Sequence, residues 1–159
     1  MKHIFLKITG LALVAIALNG CSKDLNRNPP NTYTVTQVYS TPEGYTQAMA
    51  KVYGAFALTS SLGPASSDVQ GVDAGTSDFL RLFWNTQELT TDEAICAWND
   101  PGVPDFHNMN WASSNLILLG LYTRSIYQIT VCNDFLRNST DAVVASKGFG
   151  PSDVTNIKY

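Results

Sequence analysis

Residues 113–140, SSNLILLGLYTRSIYQITVCNDFLRNST, carry the longest helical period in the chain and decide its fold class. Leu118, Tyr122, Ile126, Ile129, Cys132 and Leu136 recur at spacings of three and four, so on a helix they form one apolar stripe. Arg124, Gln128 and Arg137 lie off that stripe, and Ser114 stands where an N-cap is needed. The apolar run Leu116–Leu119 is too short to span a bilayer, which takes about 20 apolar residues. The segment therefore predicts a long amphipathic helix in a mostly α-helical protein.

Upstream, YSTPEGYTQAMAKVYGAFALTSS predicts a second helix. Thr41 serves as N-cap, Pro42 falls at the first helical position where its missing N–H costs nothing, and Glu43 suits the positive helix end. Tyr45, Met49, Val52, Tyr53 and Phe56 form its expected buried face, and Gly63-Pro64 ends the region. From Ala65 to Ser113 the period collapses into Ser, Gly, Asp, Asn and Pro with isolated aromatics. Irregular stretches this long are functional or disordered, and their aromatics argue for order. Within this stretch TSDFLRLFW predicts a short helix started by Thr76 or Ser77, and TTDEAICAW another, capped by Thr91. At the far end GFGPSD reads as a turn, with Ser152 capping a final helix that stops at Tyr159 without a C-cap.

The 159-residue chain is long enough for one modest core, and its net charge of −3 with no basic run excludes a nucleic-acid partner. The N-terminus MKHIFLKITGLALVAIALNGC has basic residues Lys2 and Lys7, an apolar run Ile8–Leu18, and small or polar residues before Cys21: a signal peptide, residues 1–20. Its end, LNGC, resembles a bacterial lipobox, which makes Cys21 the lipidated first residue of the mature chain. An ordinary secretory signal with an incidental cysteine is the plainer alternative. Residues 21–40 are polar, with Pro29-Pro30, and read as an extended arm off a membrane. Ser22, rather than Asp, permits the outer membrane. Cys96 and Cys132 fit either an exported disulfide or two buried thiols.

Taken in order, the segments CSKDLNRNPP, DVQGVDAGTSDFLRLFWNTQELTTDEAICAW and YTRSIYQITVCNDFLRN resemble the SusD/RagB-like nutrient-binding outer-membrane lipoproteins of Bacteroidetes, their starch-binding founding member among them. The run F-x-x-x-F-W-N-x-Q-E-L-x-T-D-E is the specific part. The resemblance implies a SusD-like fold built on tetratricopeptide-like helix pairs with long, ordered, irregular loops. Family members are several hundred residues long, so residues 41–159 would be the N-terminal portion of such a domain, truncated before the main helical repeats. It further implies a surface lipoprotein that binds a glycan and delivers it to a SusC-like TonB-dependent transporter, without catalysis and without a cofactor.

In the starch-binding relative an arc of aromatic rings follows the curve of the glycan, while polar side chains bond its hydroxyls. Sugar C–H faces are apolar and stack on rings; the hydroxyls need amides, carboxylates or guanidinium groups. By motif position the resemblance assigns stacking to Trp98 and sugar contacts to Asp73 and Arg81. The family's contacting Asn falls near Pro101, leaving Asn99 or Asp100 to substitute, and Cys96 stands where the relative has a further Trp. Asp73 and Arg81 would otherwise pair with one another or cap local turns, and Trp98 would otherwise pack its loop. Trp84 and Trp111, beside Phe83 and Met109, are expected in the core. Asp92 and Glu93 are neighbours at a helix start, not a pair flanking one bond, and His107 has no second ligand at metal spacing. An exported carbohydrate-active enzyme and a non-functional fragment, its apolar stripe uncovered, remain the alternatives.

Overall fold

In the computed structural model, which describes residues 31–158, every helix or strand found is a helix. The order is α1 (Val35–Val38), α2 (Pro42–Ala57), a 3-10 turn (Ala74–Thr76), α3 (Phe79–Glu88), α4 (Val103–His107), α5 (Leu116–Asn138), α6 (Asp141–Ala145) and α7 (Pro151–Lys158). The expected signal peptide, 1–20, and the anchor Cys21 lie outside the described residues. Val35–Tyr159 form one compact unit. The arm expected over 21–40 is shorter among the described residues: Val35–Val38 make a helical turn, and Tyr39 is buried in a core.

α2 starts as its sequence predicts. The Thr41 hydroxyl accepts from Gly44 N at 3.1 Å, Pro42 leads, and Glu43 lies in the first turn. Gly44 is required sterically, because a Cβ there would sit 1.8 Å from the Val38 carbonyl oxygen. Tyr45 is buried and Met49 and Val52 partly so, but Tyr53 and Phe56 face solvent; Ala55 takes the buried place instead.

α5 packs against both α2 and α3 and links two cores. Its first turn places Ile117 with Leu82, Leu89, Val103 and Phe106. Its last turns place Phe135 with Tyr39, Tyr45, Val144 and Ile157. Between them the buried stripe is Gly120, Arg124 and Gln128, which overturns the expected orientation of this helix. Of the predicted stripe, Leu118 and Cys132 are partly covered, while Tyr122, Ile126, Ile129 and Leu136 are exposed. The reason is local. Gly120 lets Val72 and Leu82 approach so closely that a Cβ would meet Val72 at 2.7 Å. Arg124, fully buried, donates to the carbonyls of Ala55 (3.0 Å) and Leu58, which the end of α2 leaves open, and to that of Thr59 (3.3 Å), which also accepts from Asp68 N at 2.9 Å. Gln128 donates to the Val52 carbonyl at 2.7 Å. Arg124 also lies 3.8 Å from Asp68, which pairs with Lys51, and over the Tyr127 ring at 5.2 Å.

Other boundaries moved for identifiable reasons. Asn115, not Ser114, caps α5, its Oδ1 accepting from Ile117 N and Leu118 N. Asp78, rather than Thr76 or Ser77, caps α3, because Ala74–Thr76 are spent in the 3-10 turn. No helix forms at TTDEAICAW: Thr91 donates back to the Glu88 carbonyl and accepts from Glu93 N, a turn that leads into a run without regular secondary structure. α7 begins at Pro151, so Ser152 lies inside it. α4 and α6, one turn each, carry no period long enough to read. Among the described residues no helix is long and apolar enough to cross a membrane.

One packing detail has a pH signature. Tyr39, buried and edge-on to Tyr45 at 4.9 Å between centroids, donates to Asp134 Oδ2 at 3.2 Å. Burial first, and then the Asp134 carboxylate, push its phenol up to about 12 from 10.0. The unfolded phenol ionises first, so the folded state holds its proton while the unfolded state loses it. Stability is therefore fully present below pH 10 and falls as pH rises from 10 toward 12. Tyr39→Phe should flatten part of that fall, as read from thermal unfolding midpoints across this window; an unchanged slope would count against the Tyr39–Asp134 contact.

Candidate functional site

α3 is held by one face and offers another. Leu82, Thr86 and Leu89 are buried, and the Thr86 hydroxyl is satisfied by the Leu82 and Phe83 carbonyls at 3.1 and 2.9 Å. Asp78 Oδ1 accepts from Arg81 N at 2.8 Å and starts the helix. Roughly 100° around the axis, Arg81, Trp84 and Asn85 lie together at i, i+3 and i+4.

Facing this stripe is the run 94–102. Ala94 and Cys96 turn inward to the core of Leu82 and Phe106, while Ile95 and Trp98 turn outward. Its far end is pinned by Asn115, 5% exposed, whose Nδ2 donates to the Gly102 carbonyl (2.8 Å) and to Asp105 Oδ2 (2.9 Å). Gly102 has φ of 89°, a left-handed conformation that glycine adopts freely, and its place against the Asn115 amide leaves no room for a Cβ. Val103 and Phe106 of α4 then bury the loop's base. One asparagine thus caps α5 and ties down the loop that carries Trp98.

Between α3 and this loop runs an open groove of ≈ 280 Å³, lined by Thr76, Arg81, Trp84, Asn85, Leu89, Ala94, Ile95, Cys96, Trp98, Asp100 and Val103. The Arg81 guanidinium carbon sits 5.2 Å from the centre of the Trp98 ring, and its Nη1 donates to the Gly75 carbonyl at 2.7 Å. Stacking and that bond orient both groups while the remaining guanidinium N–H groups stay available. Asp73 is spent differently: its Oδ1 accepts from Gly75 N at 2.9 Å and caps the 3-10 turn. Asp73 and Arg81 form no ion pair with each other; they meet through Gly75.

Of the residues singled out in the sequence, Arg81, Trp98 and Asp100 line the groove. Asp73 stands behind it, supporting the turn that holds Arg81. Asn99 is exposed and outside the lining. Trp84, expected in the core, is 60% exposed and lines the groove with Trp98, which is 59% exposed. Asn85 was missed as well; its spacing of four from Arg81 was the signal that would have found both. Trp111 packs against buried Phe106, its ring tilted by 32° at 5.8 Å, and is itself part-exposed, a partial lid on that core. Cys96 and Cys132 are free thiols. Asp92 and Glu93 sit on an exposed turn, and among the described residues no three His, Cys, Asp or Glu side chains are grouped to hold a metal ion.

No family model matches the chain, and no solved structure matches it. A curated relative does. The chain is 31% identical over 142 residues to the starch-binding protein SusD of Bacteroides thetaiotaomicron, over 86% of its own length and 25% of the relative's. It thus spans about a quarter of the protein it matches. A helical chain with a tryptophan-lined groove is, over most of its length, distantly similar to part of a starch-binding protein.

Proposed function

We propose that this chain is the glycan-contacting part of a SusD-like, non-catalytic surface lipoprotein, anchored through Cys21 in outer-membrane lipid, that delivers oligosaccharides to a SusC-like TonB-dependent transporter. The observation that carries the reading is the groove in which exposed Trp98, stacked by Arg81, stands with Asp100. A ring face for sugar C–H groups, a cationic donor and an anionic acceptor make the set that a neutral polyhydroxyl ligand needs. Similarity to a starch-binding protein supports the same reading. The exposed stripe Tyr122, Ile126, Ile129 and Leu136 of α5 is where tetratricopeptide-like helix pairs of a longer polypeptide would pack.

The test is titration of the full chain with maltohexaose, cellohexaose and mannohexaose, read by tryptophan fluorescence and calorimetry, with reducing ends assayed in parallel. Saturable binding without release of reducing sugar is expected. Trp98→Ala should weaken it roughly tenfold or more, the worth of one buried ring. Binding indifferent to Trp98 would move the site elsewhere; hydrolysis would make the protein an enzyme.

A further inference from the structure

We infer that Trp84 and Asn85 form a second sugar subsite beside Trp98, so that the groove grips a chain of at least two consecutive sugar units and discriminates against free monosaccharides. This rests on the glycan-binding reading and adds residues and a ligand length to it. Trp84 is 60% exposed and has no ring partner among the described aromatic contacts, although Phe79, Phe83, Phe106 and Trp111 all have one. An indole left in water forgoes the burial that normally places it inside.

Its neighbours have the right chemistry. The Asn85 amide lines the same groove and makes no side-chain hydrogen bond among the described residues, so one side chain offers a donor and an acceptor to adjacent hydroxyls. Arg81, on the same stripe, already covers one face of Trp98, and Trp84 follows it by one helical turn. Trp84 therefore stands about 4.5 Å further along α3 than the Arg81 that covers Trp98, close to the length of a single sugar residue. The groove, ≈ 280 Å³, lies just below the roughly 300–1,000 Å³ typical of ligand sites, but it is open, so a chain can run on past either ring.

The experiment compares each hexasaccharide above with its monosaccharide on the full chain and on the W84A, W84F, N85A and W98A variants. Wild type should prefer a hexasaccharide to its monosaccharide. W84A and N85A should each lose roughly 3- to 10-fold for the hexasaccharide and a smaller factor for the monosaccharide, and W84F should keep most of the affinity. Hexasaccharide binding that survives W84A but not W98A overturns the second subsite and leaves the proposed function standing. Equal losses for both sugar lengths overturn it too, as they mark a merely structural residue. Failure of wild type to bind any of these sugars overturns both readings.

Discussion

Arg124→Ala should cost about 3–5 kcal/mol of folding stability, the range seen when one partner of a buried charged network is removed. Its side chain is wholly buried and donates to Ala55, Leu58 and Thr59, carbonyls of the last turn of α2 and the residues just after it. Without it the Ala55 and Leu58 carbonyls lose their donor, Thr59 keeps only the Asp68 N–H, and the half-buried pair of Lys51 and Asp68 loses the second cation near it. Because folded domains are stable by only about 5–15 kcal/mol, such a loss should shift the urea midpoint far down. Arg124→Lys restores charge but not the planar fork that reaches several carbonyls, so it should recover only part. Far-UV circular dichroism in urea reads both variants. A loss within about 1 kcal/mol for the alanine variant would mean that water replaces the guanidinium at no great cost.

Phe106→Ala is the second large effect, about 3–5 kcal/mol for removing a buried aromatic ring. Phe106 is 1% exposed, packed with Leu82, Leu89, Val103 and Ile117, and supports Trp111. The cavity would open beneath the loop that carries Trp98, so stability and sugar affinity should fall together. Phe106→Leu, which keeps most of the volume, should cost less in both. Unfolding curves and fluorescence titration of the same preparations separate the effects. Full sugar affinity in a destabilised alanine variant would show that the groove does not depend on this core.

The exposed α5 stripe carries the main lesson about pattern. Two stripes run along that helix, and apolar period alone selects the wrong one, because the buried stripe contains a glycine, an arginine and a glutamine. Composition scores these as solvent-facing. Only the neighbouring elements reveal why they are inside: close approach of Val72 and Leu82 at Gly120, open carbonyls at the end of α2 for Arg124, and the Val52 carbonyl for Gln128.

What the sequence determined by itself was local and one-dimensional. Thr41, Pro42 and Glu43 set the start of α2, because capping chemistry acts within one turn. The three/four period established that residues 116–138 are helical. The aromatics in an irregular stretch signalled an ordered loop, and the family resemblance brought Asp73, Arg81, Trp98, Asn99 and Asp100 under suspicion together. The tertiary structure decided everything that depends on which groups meet. It turned α5 over, placed Trp84 and Asn85 in the groove, kept Asn99 out of it, and made Asn115 the pin between loop and helix. A side chain's role at such a place is fixed by partners many residues away, whose distances no local spacing encodes.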